Sequence, residues 1–184
     1  MIEPRILGAV LAGGRSRRFG SDKALAEING QTLIDCAIGA LSACVDTVVV
    51  CGRQLEEHVS LPDRPRADMG PLGGLNAALH HAASRGFAGV LSTGCDMPVF
   101  PRGLAAALIG EGAAIVEGQQ LLGYWPSRLA PMLDMHLEVG TDRSIRAWLA
   151  VVQPRSVASD AALPNINTPA DLDAFARGSR ASGS

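Results

Sequence analysis

ILGAVLAGGRSRRFGSDK, residues 6–23, is the stretch on which the fold turns. Ile6 to Leu11 is an unbroken apolar run, as in a strand buried on both faces of a parallel sheet. Gly13 and Gly14 follow at once, and glycines there let the backbone turn tightly and bring bare N–H groups close to a ligand. Arg15, Arg17 and Arg18 come next, and the stretch ends at Gly20 and Lys23. Backbone N–H groups, guanidinium groups and an ammonium in one loop suit a polyphosphate. Lys23 is also the sole lysine among sixteen basic residues. An ammonium is a compact, strongly hydrated point charge that a guanidinium does not replace around a phosphate. The alternative is a chance surface lysine in an arginine-biased chain.

The spacing excludes the two common phosphate loops. A Walker A loop needs G-x-x-x-x-G-K-[ST], but here five residues separate Gly14 from Gly20, and Ser21 and Asp22 precede Lys23. The dinucleotide fingerprint G-x-G-x-x-G is absent as well.

Working outward, 184 residues with 47 % hydrophobic and 18 % charged side chains suit one domain with a sizeable core. The net charge of −2 argues against a nucleic-acid or membrane-surface binder. No early segment has the form of a signal peptide, and no apolar run approaches the length of a membrane span. The four cysteines, Cys36, Cys44, Cys51 and Cys95, make no C-x-x-C and lie in or beside apolar runs. They read as free thiols in a reducing cytosol. His80 and His81 point to different sides of a helix and make a poor metal pair.

Along the chain, Ala24–Ile28 and a turn at Asn29-Gly30 lead to a helix expected over 31–43. Its apolar face is Leu33, Ile34, Ala37, Ile38 and Leu41. DTVVVCG (46–52) is a second buried strand, completing a strand–helix–strand unit. Residues 53–70 read as a loop with a short strand near Val59. GPLGGLNAALHHAA (70–83) reads as a helix with Pro71 in its first turn. Gly70, Gly73 and Gly74 weaken that start, which suggests close approach of a base or ribose; loose packing against a neighbouring strand is the alternative. FAGVLSTGCDMPVFP (87–101) gives a third buried strand ending in G-C-D-M-P. Asp96 stands where ligands sit in open α/β sheets, beyond a strand's carboxyl end. It suits Mg²⁺, which is held by one or two carboxylates plus substrate phosphates. Its other possible role is to cap the helix over 101–110.

In the second half, AAIVEG (113–118) and LLGYW (121–125) read as strands, and 126–140 as a helix stopped by Gly140. Residues 141–153 begin with a capping residue and run from helix into strand. LPNINTPAD (163–171) is a loop opening a last helix. Residues 1–178 are expected to form a single domain, and 179–184 a disordered tail.

The first loop, L-A-G-G-x-S-x-R-[MF]-G-x-D-K over Leu11–Lys23, resembles that of the molybdenum cofactor guanylyltransferases. These are nucleotidyltransferases of nucleotide-diphospho-sugar-transferase-like fold. Three more blocks follow in the family's order: GPLGGL, CDMP and NINTPADL. The resemblance implies a three-layer α/β/α fold with a mostly parallel, Rossmann-like sheet. It implies GTP bound by the N-terminal half and a molybdopterin acceptor held by the C-terminal half. It also implies transfer of GMP to the acceptor's terminal phosphate with release of pyrophosphate.

Carried over onto matching positions, Leu11, Ala12, Gly13 and Gly14 are nucleotide-contacting backbone, and Lys23 is the phosphate-binding lysine with Arg18 assisting. Asp96 is the Mg²⁺ ligand. Cys51 stands where an asparagine contact is expected. Asp63, seven residues before Gly70, fits the spacing of a nucleotide-binding aspartate, with Asp68 as competitor. Gly70 and Gly73 lie on the nucleotide side, and Asn165 and Asn167 on the pterin side. Gln119-Gln120 replaces a His-Pro pair frequent in the family. The implied partners are GTP, a molybdopterin-type acceptor and, downstream, apo-molybdoenzymes or their chaperones, in the cytoplasm. The rival assignments are a cytidylyltransferase on the same acceptor, another nucleotidyltransferase of this fold, or a non-catalytic cofactor-delivery module.

Overall fold

Strand β1 (Ile6–Leu11) is buried along its whole length and takes the middle of a seven-stranded sheet. β4 (Thr47–Cys51) pairs with it in parallel on one side and β6 (Gly89–Gly94) on the other. With no edge exposed and helices on both faces, the apolar runs in these strands follow directly from burial. The structure is a computed structural model and describes residues 4–13 and 23–181, with side chains to 178. Its sheet order is β5 (Ser60–Leu61), β4, β1, β6, β8 (Gln119–Pro126), β7 (Ala114–Val116) and β9 (Arg155–Val157). β8 runs antiparallel between β6 and β7, and β9 pairs parallel to β7. β2 (Glu27–Ile28) and β3 (Gln31–Thr32) form a small separate hairpin.

Alternation along β1 divides its side chains between two cores. Ile6 and Val10 join the face covered by α1 (Leu33–Ser42) and α3 (Arg102–Leu108). Leu7, Ala9 and Leu11 join the face covered by α2 (Gly70–Ser84), α4 (Ala130–Val139) and α5 (Ile145–Val152). This is the three-layer architecture. Gly8 lets α1 approach closely: a Cβ there would stand 2.9 Å from Leu41 Cδ2 and 2.8 Å from Val45 Cγ2. Trp125 and Trp148 are both fully enclosed. The Trp125 indole N–H donates to Ser92 Oγ at 2.9 Å, so that buried polar pair is satisfied. A third cluster of Ile28, Leu33 and Ile166, with Leu172 and Phe175, fastens α6 (Pro169–Ala181) to the β2–β3 hairpin. None of the described helices is long and apolar enough to cross a membrane.

Several boundaries differ from the sequence expectation. α1 starts at Leu33, because Asn29 and Gly30 adopt positive φ and close the hairpin instead. Thr32 caps the helix, accepting the Asp35 N–H at 3.2 Å. α5 is capped by Ser144, three residues beyond Thr141, and Gln153 in the left-handed region ends it before β9. α6 runs to Ala181, three residues into the stretch expected as a disordered tail.

Candidate active site at the carboxyl ends of the strands

The carboxyl ends of β5, β4, β1 and β6 face the same edge of the sheet, and the β7–β8 turn joins them there because β8 is antiparallel. Two cavities open along this edge. One, of about 280 Å³, lies over β5, β4 and β1 and is lined by Gly13, Gly52, Arg53, Asp63 and Asp68 among others. The second, of about 420 Å³, lies over β6, β8 and β7, with Asp96, Glu117, Gln119, Gln120 and Asn165 in its lining.

Lys23 stands at the Asp96 end of the second cavity. It opens a 3₁₀ turn (Lys23–Leu25) and is 7 % exposed, so its ammonium needs partners. Nζ donates to Asp96 Oδ2 at 3.1 Å and to Asn167 Oδ1 at 2.8 Å. The three residues come from the first, middle and last parts of the chain. The C-terminal loop is tied down on both sides of Asn167: Ile166 N–H donates to the Asp96 carbonyl at 3.0 Å, and Asn167 N–H to Asp171 Oδ2 at 2.9 Å. Thr168 and Asp171 exchange the two hydrogen bonds of a capping box at the start of α6. The T-P-A-D spacing is the sequence signal that could have marked Asp171 as the loop's anchor. Asn167, expected on the pterin side, is a partner of Lys23. Its amide N–H donates to Asn165 Oδ1 at 2.9 Å, and Asn165 lines the cavity.

Asp96 does not cap α3. Pro101 holds that position with no side-chain cap, and the Asp96 carboxylate folds back over Gly94, filling the place a Cβ would take. Its neighbour Cys95 has its thiol pushed up to about 11, by burial and then by the Asp96 charge. That thiol therefore stays neutral and adds no anion beside Asp96. One carboxylate at the strand end, beside an open cavity and a lysine, fits a Mg²⁺ shared with substrate phosphates.

In the first cavity the structure separates the two candidate aspartates. Asp63 Oδ2 accepts the Met69 N–H at 3.2 Å, while its Oδ1 is buried with no hydrogen-bond partner among the described residues. Oδ1 lies toward Gly52 and Gly13, 3.3 Å and 3.9 Å from the Cβ positions those glycines lack. Burial pushes the Asp63 carboxyl up; the Met69 N–H pulls the other way, and the Asp68 charge adds to the rise. Asp68 is exposed and in the left-handed region. Asp63 is the one aimed inward.

Two expectations about this half need correction. Cys51 places its side chain away from the cavity, in the core under α2, where its thiol is 1 % exposed and pushed up to about 12 by burial. The alternation of β4 dictates this, and the residue's carbonyl accepts the Ala12 N–H at 2.9 Å. Gly73 and Gly74 face packed protein atoms rather than an open approach for a base or ribose. A Cβ on Gly73 would meet Met69 and Asp63 Cβ at 2.5 and 3.0 Å, and one on Gly74 would meet Cys51 Cβ at 2.9 Å. Tight packing explains both glycines, while Gly70, at φ +68°, is a conformational requirement facing open space. Leu11 and Ala12 use backbone groups within the sheet edge: the Leu11 carbonyl accepts from Cys95 N–H at 3.3 Å. Gly13 is the member of that trio lining the cavity. Gly14, Arg15, Arg17, Arg18 and Gly20 lie outside the described residues.

A mostly parallel sheet with paired cavities and a lysine–aspartate pair at its carboxyl edge is a Rossmann-like architecture. The same fold occurs in a molybdopterin-guanine dinucleotide biosynthesis protein A from Archaeoglobus fulgidus, at TM-score 0.78 and 23 % identity, covering 95 % of this chain and 99 % of that one. It occurs also in a 2-C-methyl-D-erythritol 4-phosphate cytidylyltransferase from Thermus thermophilus, at TM-score 0.69 and 16 % identity, covering 97 % and 100 %. Residues 8–159 match the model of the MobA-like NTP transferase domain, and the chain belongs to that family. It is 34 % identical to a molybdenum cofactor guanylyltransferase of Sinorhizobium fredii, over 92 % of this chain and 89 % of that protein. A protein of the same name from Rhodobacter capsulatus is 33 % identical, with 91 % and 93 % covered.

Proposed function

We propose that the protein transfers GMP from GTP to the terminal phosphate of molybdenum-molybdopterin, forming molybdopterin guanine dinucleotide and releasing pyrophosphate. The observation that carries the guanine assignment is Asp63, which lines the first cavity and whose buried Oδ1 has no partner among the described residues. A buried acceptor without a partner costs free energy that a ligand donor recovers. Guanine's Watson–Crick edge offers two adjacent donors, N1–H and the 2-amino group; cytosine's offers one. The relatives' shared name supports the same assignment.

In the transfer, an oxygen of the acceptor phosphate attacks the α-phosphorus of GTP. The bond from that phosphorus to the bridging oxygen breaks, and pyrophosphate leaves with the electron pair. The nucleophile is already an oxyanion at neutral pH, so the site needs charge neutralisation and alignment more than a base. Lys23, held by Asp96 and Asn167, brings one fixed positive charge to the Asp96 end of the second cavity. Asp96 is the residue that would hold Mg²⁺, which when bound supplies further neutralisation of phosphate charge. The larger cavity, with Glu117, Gln119, Gln120 and Asn165, takes the acceptor.

The test is pyrophosphate release with a molybdopterin acceptor and Mg²⁺, comparing GTP with CTP in the wild type and Lys23→Ala. GTP-dependent release, cut about 10²-fold or more in the variant, is expected. CTP-dependent release would move the protein to the cytidylyl branch, and GTP binding without release would make it a delivery module. A pH series gives a second check. Guanine donors need ionised Asp63, so GTP affinity should rise with pH through that group's raised pKa and weaken below it. The nucleotide-free protein runs the other way: the stability linked to Asp63 is present at low pH and is lost as pH rises through the same range. GTP affinity flat across that range would remove Asp63 from base recognition.

A further inference from the structure

Asp134, on α4, lines neither cavity, yet its carboxylate gathers donors from two other parts of the chain. The Asn76 amide, on a residue with no exposed surface in α2, donates to Oδ1 at 2.5 Å. His80 Nε2, one turn further along α2, lies 2.7 Å from Oδ2. The Arg64 guanidinium, from the loop leading into α2, donates to Oδ2 at 3.2 Å. Burial opposes the charge on Asp134, but the Asn76 and Arg64 hydrogen bonds and the His80 and Arg64 charges hold its carboxyl below the usual range.

Arg64 follows Asp63 directly, and it is fixed at both ends. Its backbone N–H donates to the Gly73 carbonyl at 3.1 Å while its side chain reaches Asp134. We infer that Asp134 is a positioning residue: through Arg64 it holds the 62–69 loop against α2 and α4, and so fixes where Asp63 presents its free oxygen. The inference rests on the guanylyl assignment for its kinetic consequence, though not for its geometry. Half-exposed ion pairs are weak one at a time, so the Arg64 arm alone sets a modest effect. Loss of Asp134 also strips Asn76 of its acceptor and His80 of its neighbouring carboxylate and is the larger change.

The experiment compares Arg64→Ala, Arg64→Lys, Asp134→Ala and the double alanine variant. KM for GTP is expected to rise about threefold to fivefold in Arg64→Ala and about tenfold in Asp134→Ala. The double variant should be no worse than Asp134→Ala, because the two residues act through one contact. Arg64→Lys should recover part of the loss. KM for the acceptor and kcat should stay within about twofold, since Lys23 and Asp96 are untouched. Amide exchange at Arg64 and Met69 should quicken about tenfold in both single alanine variants, whatever nucleotide is present. A lowered Tm with unchanged KM for GTP and unchanged exchange would overturn the inference and leave Asp134 as a packing residue. Wild-type protein that releases no pyrophosphate from GTP would overturn the guanylyl assignment alone, because the exchange measurement still reads the loop.

Discussion

In Asp96→Asn, pyrophosphate release should fall by about 10²- to 10³-fold while the Kd for GTP changes by less than about threefold. The substitution keeps shape and leaves an oxygen able to accept from Lys23, but it removes the negative charge. Fold is not at issue: the Asp96 carbonyl still takes the Ile166 N–H, and Gly94 still has a side-chain atom filling its vacant side. What disappears is the carboxylate to which the proposed reaction assigns Mg²⁺, and with it the counter-charge that orients the Lys23 ammonium. Both act where charge moves during transfer, so the loss falls on kcat. A steady-state assay at saturating GTP, with an equilibrium GTP titration beside it, gives both numbers. Wild-type turnover in this variant would remove Asp96 from the chemistry.

Gly52→Ala is expected to lower unfolding stability by about 3 kcal/mol, a fall in Tm of roughly 6–12 °C. Gly52 sits at φ +78°, a conformation alanine adopts only at a cost of about 1–2 kcal/mol. Its missing Cβ would also lie 2.6 Å from Gly13 Cα and 2.9 Å from Gly13 N. These are backbone atoms at the ends of adjacent strands and cannot rotate aside. The same shift would spread Gly13 from Asp63, so GTP binding should weaken along with stability. Gly39→Ala is the control. It lies within α1 with nothing within 4 Å of the added methyl, and helix propensity should make it neutral or stabilising by up to about 1 kcal/mol. Equal losses in the two variants would show that Gly52 is an ordinary surface glycine.

The sheet's centre was legible because its signal is local. Ile6–Leu11, Thr47–Cys51 and Gly89–Gly94 are apolar runs whose burial needs no knowledge of distant residues. Asp96 could be placed at the sheet's carboxyl edge for a related reason: it stands two residues past such a run, whereas Lys23 was marked by the glycine–arginine motif it closes. The role of Gly73 and Gly74 was not, because what fills the side of a residue with no side chain is set by tertiary packing, here Asp63, Met69 and Cys51. Neither was Asn167. Its bond to Lys23 crosses 144 positions of sequence, and no local pattern distinguishes that role from a ligand contact. Cys51 was misjudged because a strand's last residue can face either core or cavity, and register alone decides which.

The wide sequence separation within the Lys23 cluster also bears on when the protein can first act. Lys23 and the three central strands leave the ribosome early, and N-terminal parts of a chain generally fold first during synthesis. Asn167 and its anchor Asp171 follow Asp96 by 71 and 75 positions, so they are made well after it. A nascent chain can therefore assemble β1, β4 and β6 with Asp96 in place while its ammonium still lacks one of two partners. Chains broken off before Asn167 would keep these three strands yet lack the completed Lys23 cluster.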